Sequence, residues 1–336
     1  MKILFISPCS QPYQNGSLVL KYLKRLGHEV SAFDYRLHPA LPAGNWPVLK
    51  SHWVYPFIYR AIPVQNQLLI RQGLDFGPDL ILTIKGESVL PQTIYELKRH
   101  THAPAILWFP DDPQLFNAIS RHIAPAYDIV LTNSREVIPR YQALGVKKVY
   151  WMGFACDPEV HRRLELTPQE RELYGADICF IGACYPTRLK LLRHLADFDL
   201  KIWGPHWYRP LAGPLSCRVM GSGLYHTEMV KAFNAAKIVL NIHLKRQREG
   251  AVNMRNFEVT GCGAFLLSDY VLGLEEVFEI DSEIACYKSG EELVEKVRYY
   301  LDHPQQREQI AQAGQLRTYR EYSFEERIKQ ILANLE

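Results

Sequence analysis

Short apolar runs alternate with amphipathic stretches along the first half of the chain. Those at 2–6, 29–35, 79–84, 105–109, 129–132 and 148–151 have strand length and are rich in Ile, Leu, Val and aromatic residues. Such runs predict strands of a parallel sheet covered by crossover helices. Between them, 17–26 sets Leu18, Leu23 and Leu26 at helical spacing before Gly27, and 134–144 ends likewise at Gly145. A glycine just past a periodic run stops a helix because it enters the left-handed region without a side-chain clash. Segment 38–63 breaks the pattern: it is rich in Pro, Trp, Tyr and Phe and supports no strand. Long connections of this kind often carry function.

A second alternation follows a polar, charged segment at 157–175, in which Thr167, Pro168 and Glu170 form a helix start. We read that segment as a linker. Strands are expected at 178–181, 200–203, 238–242, 265–268 and 284–287, with helices near 188–195, 227–236 and 255–260. From Ser289 onward the chain reads as almost wholly helical, with capping boxes SGEE and SFEE. The pattern predicts an α/β protein of two domains, each with a parallel sheet covered by helices. The N-terminal domain is expected at 1–156, the linker at 157–175, the C-terminal domain at 176–320 and a final helix at 321–336.

A length of 336 residues suits two domains. With 47% hydrophobic and 22% charged residues, wholesale disorder is excluded. The 39 basic and 36 acidic residues leave a charge of +3, too balanced for a dedicated nucleic-acid binder. Seven scattered cysteines, never spaced as CxxC, signal neither a disulfide framework nor a zinc site. No apolar run approaches the ~20 residues of a spanning helix, and MKILFIS leads directly into polar sequence. The expectation is a soluble, cytoplasmic protein.

In open parallel sheets, ligands bind beyond the carboxyl ends of the strands, so the strand-to-helix loops carry the candidate chemistry. The loop after the first strand lacks GxGxxG, and the chain has no P-loop, GxSxG elbow, HExxH or EF-hand loop. The second half is richer. Within 250–269, Asn253, Arg255 and Glu258 fall at the start of a short helix, followed by Gly261 and Gly263 before a buried run. A helix N-terminus beside an arginine suits a diphosphate, because unpaired N–H groups, the macrodipole and a guanidinium converge there. Glu258, one turn on, can accept hydrogen bonds from a ribose diol; the plainer reading makes Arg255 and Glu258 a surface ion pair at i and i+3. Gly182 and Arg188, between a strand and a helix, make a second phosphate-facing corner, although Arg188 alone also fits a solvated helix arginine. Trp203 and Gly204 end another strand, where an aromatic face and open backbone can receive a nucleobase; Trp203 fits a core position equally. Asn241 lies at a strand end before a basic run.

At these residues the chain resembles the glycosyltransferases of GT-B architecture, and more closely their CgeB-type, spore-maturation branch. The matching strings are ADICFIGACYPTRLKLL, LKIWGPHW, KIVLNIH, NMRNFEVTGCGAFLLSD and SGEELVEKVRYYLDHPQQREQIAQAG, with LKRLGHEV, PDLILTIKG, ILWFPDDP and GFACDP in the first half. The resemblance implies two doubly wound, Rossmann-like domains facing a cleft and a nucleotide-diphosphate sugar held by the C-terminal one, with UDP, GDP and dTDP not distinguished. It also implies an acceptor approached from the N-terminal domain, transfer in the cleft with no metal or cofactor, and a final helix that crosses back to the first domain. Glu258 then corresponds to the ribose carboxylate, Arg255 and Asn253 to diphosphate or sugar contacts, and Gly182 with Arg188 to the second phosphate corner. Many retaining relatives carry two glutamates separated by seven residues, whereas eight separate Glu249 from Glu258. Stereochemistry is therefore open.

If the transfer inverts, a base must take the acceptor proton, and Asp111 or Asp112 in WFPDDP is the most placeable carboxylate. Helix capping before Pro113 is the alternative for each. Glu87 is a second candidate for base or acceptor contact. Trp53, with Trp46, Tyr55, Phe57 and Tyr59, forms a possible acceptor platform, or packed core. The acceptor is a glycan, lipid-linked sugar, protein or small molecule, with at most peripheral membrane association and no nucleic acid. A nucleotide-sugar epimerase or hydrolase, or a non-catalytic nucleotide-sugar binder, are the alternatives.

Overall fold

The computed structural model describes residues 1–11, 14–36, 55–207, 213–244, 250–333 and 335, with backbone alone for 55–61. The chain divides into two compact units, one of Met1–Met152 with Ile328–Glu336 and one of Gly153–Arg327.

In the first unit, β1 (Lys2–Ile6), β2 (Glu29–Phe33), β3 (Leu80–Ile84), β4 (Ala105–Phe109), β5 (Ile129–Thr132) and β6 (Lys148–Trp151) form one sheet in the order β2-β1-β3-β4-β5-β6. All its pairings are parallel. Every residue of β3, β4 and β5 is buried, which is why these strands read as unbroken apolar runs. Helix α1 (Asn15–Arg25) buries Val19, Tyr22 and Leu23 and stops where Gly27 takes φ 82°. Leu4, Ile81, Leu107 and Val130 of the sheet share a core with Leu69 of α2 (Tyr55–Phe76), Ile94 and Leu97 of α3 (Pro91–Thr101), and Tyr141 of α4 (Ile138–Ala143). Helix α2 begins inside the segment that supports no strand and carries Pro63 in its interior. Helix α4 starts later than its apolar spacing suggests, because Arg135–Val137 first makes a 3-10 turn.

The second unit repeats the plan with β7 (Ala176–Ile181), β8 (Leu200–Trp203), β9 (Val219–Gly221), β10 (Ala236–Asn241), β11 (Leu266–Asp269) and β12 (Ala285–Tyr287), ordered β12-β11-β10-β7-β8-β9. These pairings are again parallel. Its helices are α5 (Pro168–Tyr174), α6 (Pro186–Arg193), α7 (His226–Ala235), α8 (Met254–Gly261), α9 (Gly290–Asp302) and α10 (Pro304–Glu321). A last helix, α11 (Phe324–Ala333), contains the boundary between the units, so that Ile328 onward counts with the first. Ile178, Phe180, Leu240 and Leu267 pack with Leu192 of α6, Leu293 and Val297 of α9, and Ile310 of α10.

Segment 157–175 is not a free linker: it lies within the second unit. Asp157, His161, Leu166 and Tyr174 are buried, and the Leu164 N–H donates to Asn234 Oδ1 at 3.0 Å. The capping box at Thr167 is present, with the Glu170 N–H donating to Thr167 Oγ1 at 3.2 Å and the Thr167 N–H to Glu170 Oε2 at 2.9 Å. Its polar composition thus serves caps and an ion pair between Lys231 and Glu170 at 3.1 Å. The short edge strand β9 escapes the apolar pattern because only three residues form it.

Candidate functional site

Numbered from β7, the second sheet has the order 3-2-1-4-5-6, which reverses between β7 and β10. Connections on the two sides of such a reversal leave in opposite directions and open a crevice beyond the strand ends. The expected residues of the second unit gather there, with one exception. Asn241 is the last residue of β10, and Gly182 follows β7. Gly204, after β8, approaches so closely that a Cβ on it would come within 1.9 Å of the Gly182 carbonyl oxygen. That oxygen already accepts the Trp207 indole N–H at 2.9 Å, so the corner is rigid and tight.

Two guanidiniums flank this corner. Arg188, in the first turn of α6, donates from Nε to the Ile242 carbonyl at 3.0 Å and from Nη1 to the Ala183 carbonyl at 3.1 Å, tying together the ends of β10 and β7. Burial holds its pKa below the ordinary arginine value; the Tyr185 phenol opposes this, and the neighbouring Arg255 charge adds to it. Arg255, in the first turn of α8, donates from Nη2 to the Ile181 carbonyl at 3.4 Å and lies over the Phe233 ring at 5.2 Å. Its Nη1 contacts Met229 Sδ at 2.7 Å and forms an ion pair with Glu258. The i,i+3 pair is therefore real, but it is no surface feature: Glu258 is only 5% exposed.

The N-terminus of α8 is held by a network in which sequence reasoning identified only Asn241 and Asn253. Asn253 caps the helix by accepting the Arg255 N–H on Oδ1 at 3.0 Å, and it exchanges side-chain amide bonds with Asn241 at 3.2 Å in each direction. Beneath them, fully buried His243 places Nδ1 at 2.7 Å from Asp269 Oδ1. Its Nε2 lies 3.3 Å from the Asn253 backbone N–H and 3.1 Å from Asn256 Nδ2. A backbone N–H only donates, so Nε2 is the acceptor and the ring proton sits on Nδ1, donating to Asp269. The signal for His243 was present in NIH, two residues after Asn241 and so on the same side of the chain. His161 is a further buried neighbour; its Nδ1 accepts the Asp157 N–H at 3.0 Å. Burial lowers the His161 pKa, against the opposing pull of the Glu258 and Asp157 carboxylates.

Two sequence expectations need correction. Trp203 is 5% exposed and packs on Tyr174 with ring centroids 6.3 Å apart, so it is a core residue and offers no open face to a base. Asp112 is 2% exposed and accepts hydrogen bonds from Ser120 Oγ (2.9 Å), Thr132 Oγ1 (2.8 Å) and the Tyr141 hydroxyl (2.7 Å). Burial raises its pKa to about 6, but the carboxylate serves as an internal anchor and not as a base facing an acceptor. Asp111 remains half-exposed, paired with Lys85 at 2.5 Å. Glu87 accepts from the Tyr35 hydroxyl at 2.7 Å and from Arg36 Nη2 at 2.5 Å. Burial would raise the Glu87 pKa, yet Lys85 and Arg36 outweigh it and hold it below the ordinary value. Trp53 lies outside the described residues. Among the described residues no group of three His, Cys, Asp or Glu side chains is placed to hold a metal ion.

Two cations, one helix N-terminus and a buried carboxylate thus meet at the switch point, an arrangement with the chemistry to hold an anionic bridge beside a polar ring. Comparison with known proteins agrees in kind. Residues 188–333 match the model of the family described as glycosyl transferase-like. Over 267 residues, 75% of this chain and 81% of the relative, the sequence is 27% identical to the spore protein CgeB of Bacillus subtilis strain 168. Among solved structures, a sucrose-phosphate synthase from Thermosynechococcus elongatus superposes with a TM-score of 0.72 at 13% identity, over 99% of this chain and 98% of that one. The Anabaena protein HepE, in complex with UDP and glucose, superposes with a TM-score of 0.62 at 14% identity, over 100% and 99% of the two chains. Residues 188–333 thus match a glycosyl transferase-like domain, the chain is similar to CgeB over three quarters of its length, and it shares the two-domain GT-B fold of these solved structures.

Proposed function

We propose that the enzyme moves a sugar from a nucleotide-diphosphate sugar, bound at the β7/β10 switch point, to an acceptor hydroxyl. The observation that carries this reading is the meeting of Arg188, Arg255 and the N-terminus of α8 around the Ile181–Ala183 backbone, with Glu258 one turn away. Departure of the sugar leaves one added negative charge on the diphosphate, and preorganised guanidiniums and N–H dipoles stabilise that charge as it develops. Glu258 accepts from the ribose diol. This reading assigns leaving-group neutralisation to protein groups and requires no metal. HepE, solved with UDP and glucose, supports the donor class. Asp111 is the carboxylate proposed for the acceptor side, because Asp112 is fully engaged. No helix among the described residues is long and apolar enough to cross a membrane, and all seven cysteines are free, which supports a reducing, cytoplasmic setting.

The test is calorimetric titration with UDP-, GDP- and dTDP-sugars, followed by product analysis with candidate acceptors. One donor is expected to bind, and Glu258→Gln, which keeps the volume and a bond to Arg255, is expected to weaken it about tenfold. Absence of binding by every nucleotide sugar would overturn the reading. Donor turnover that is equally fast without acceptor would replace transfer with hydrolysis.

A further inference from the structure

The amino ends of the strands in the second sheet carry a cavity, away from the crevice at their carboxyl ends. It has a volume of about 340 Å³ and opens where β10 begins, between the ends of α7 and α8 and the first turn of α10, with Phe233 and Phe265 buried behind it. Four cations line it, Arg163, Arg171, Lys237 and Arg307, against one carboxylate, Glu308. Glu308 pairs with Arg163 at 2.7 Å, and Lys237 pairs with Asp177 at 2.7 Å. Arg171 and Arg307 have no carboxylate within ion-pair distance among the described residues; Arg307 donates instead to the carbonyls of Tyr300 and Leu301. Among the described residues the rim thus holds two guanidiniums outside ion-pair distance of a carboxylate, with Asp177 and Glu308 acting on Arg307 only from farther away. The first turn of α10, which contributes Pro304, Arg307 and Glu308, has no acid before Glu308 and no side-chain cap.

The geometry points to this cavity as a binding site for a small organic phosphate, with its dianion among Arg163, Arg171 and Arg307 and its hydroxylated carbon body along the backbone at 234–236. Arginine forks suit the tetrahedral oxygens, and the volume matches a three- to six-carbon ligand. The site has a route to the crevice. Helix α8 begins at Asn253 and Arg255 in the crevice and ends at Gly261; Gly263, just beyond, lines the cavity. Arg163 Nη2 donates to the Gly263 carbonyl at 3.0 Å, and a Cβ there would meet Arg163 Nε at 2.6 Å. A ligand that draws Arg163 inward therefore pulls on the C-terminal end of the helix whose first turn carries Arg255.

Titration of the full chain with glycerol 3-phosphate at fixed ionic strength, with and without saturating UDP, tests this. Saturable binding should persist with UDP present and in Arg188→Ala, and should weaken about tenfold in Arg171→Ala/Lys237→Ala, both exposed positions whose replacement spares the fold. Glu308→Gln, which releases Arg163 from its partner, should tighten it severalfold. The proposal is overturned if no saturable binding occurs, if UDP or Arg188→Ala abolishes it, or if it ignores the double variant. The Arg188→Ala arm locates the site even if UDP itself fails to bind.

Discussion

The ring of His243 supports the first turn of α8 from below, and its two nitrogens can be removed one at a time. Asparagine at this position sets an amide N–H where Nδ1 stood and keeps the bond to Asp269, but supplies no acceptor to Asn253 and Asn256. Glutamine reaches the Nε2 position with a carbonyl oxygen and leaves Asp269 Oδ1 with the His243 backbone N–H at 2.8 Å in place of the ring donor. Each buried polar group stripped of a partner costs about 1–3 kcal/mol, so asparagine, which strips two donors, should lose roughly 2–4 kcal/mol of stability and glutamine, which takes one donor from Asp269, about 1–3 kcal/mol. Only asparagine frees the Asn253 N–H and with it the cap that orients Arg255. A cap contributes about 1 kcal/mol and a displaced guanidinium adds to that, which amounts to a roughly tenfold loss of donor affinity. His243→Gln should stay within about threefold of the parent. Urea unfolding gives the stability term and titration calorimetry with the best nucleotide gives the affinity. Equal affinities for the two variants, or a greater loss for glutamine, would refute the argument that Nε2 positions the site.

Asp112 makes a pH prediction with the opposite sign to that of an ordinary salt-bridged carboxylate. Burial raises its pKa from 3.8 to about 6. The folded state therefore holds a proton that the unfolded state releases, and the contribution is fully present below the unfolded value and lost as pH rises through about 6. Unfolding midpoints of Asp112→Asn should lack the decline between about pH 4 and 6, a difference on the order of 3 kcal/mol across the window; a decline identical to that of the parent would contradict the assignment. Gly204→Ala should cost about 3 kcal/mol or more and lower donor affinity, since its Cβ would collide with the Gly182 carbonyl at 1.9 Å; thermal melting and titration report both, and a neutral result would show that the corner can relax. Transfer by the purified enzyme should withstand EDTA, and an EDTA-dependent loss restored by a divalent cation would move leaving-group neutralisation from the arginines to a metal.

The strands were legible because parallel sheets bury both faces, and β3, β4 and β5 are apolar at every residue except Thr83 and Thr132. Helix ends were legible at Gly27, Gly145 and the Thr167 box, where backbone conformation or capping chemistry restricts residue choice. Arg255 and Glu258 were singled out because a helix start beside a basic residue has few uses, and the structure brings the two side chains together. What failed shares one cause: residue type leaves burial undecided. Trp203 has the same composition signal in a core as on a ligand platform, Asp112 the same as a base and as an anchor, and 157–175 the same polarity as a linker and as a packed, capped segment. His243 was passed over because its role rests on partners 26 and 10 residues away, which no local pattern registers.

Because Arg255 already holds Glu258, a bare nucleoside presenting its diol meets a carboxylate that is neutralised from behind. On the proposed donor reading, a pyrophosphate arriving at the same time would draw the guanidinium towards itself and hand the carboxylate to the ribose. The lock would thus have two tumblers on one pin, and a nucleoside without phosphates would turn neither.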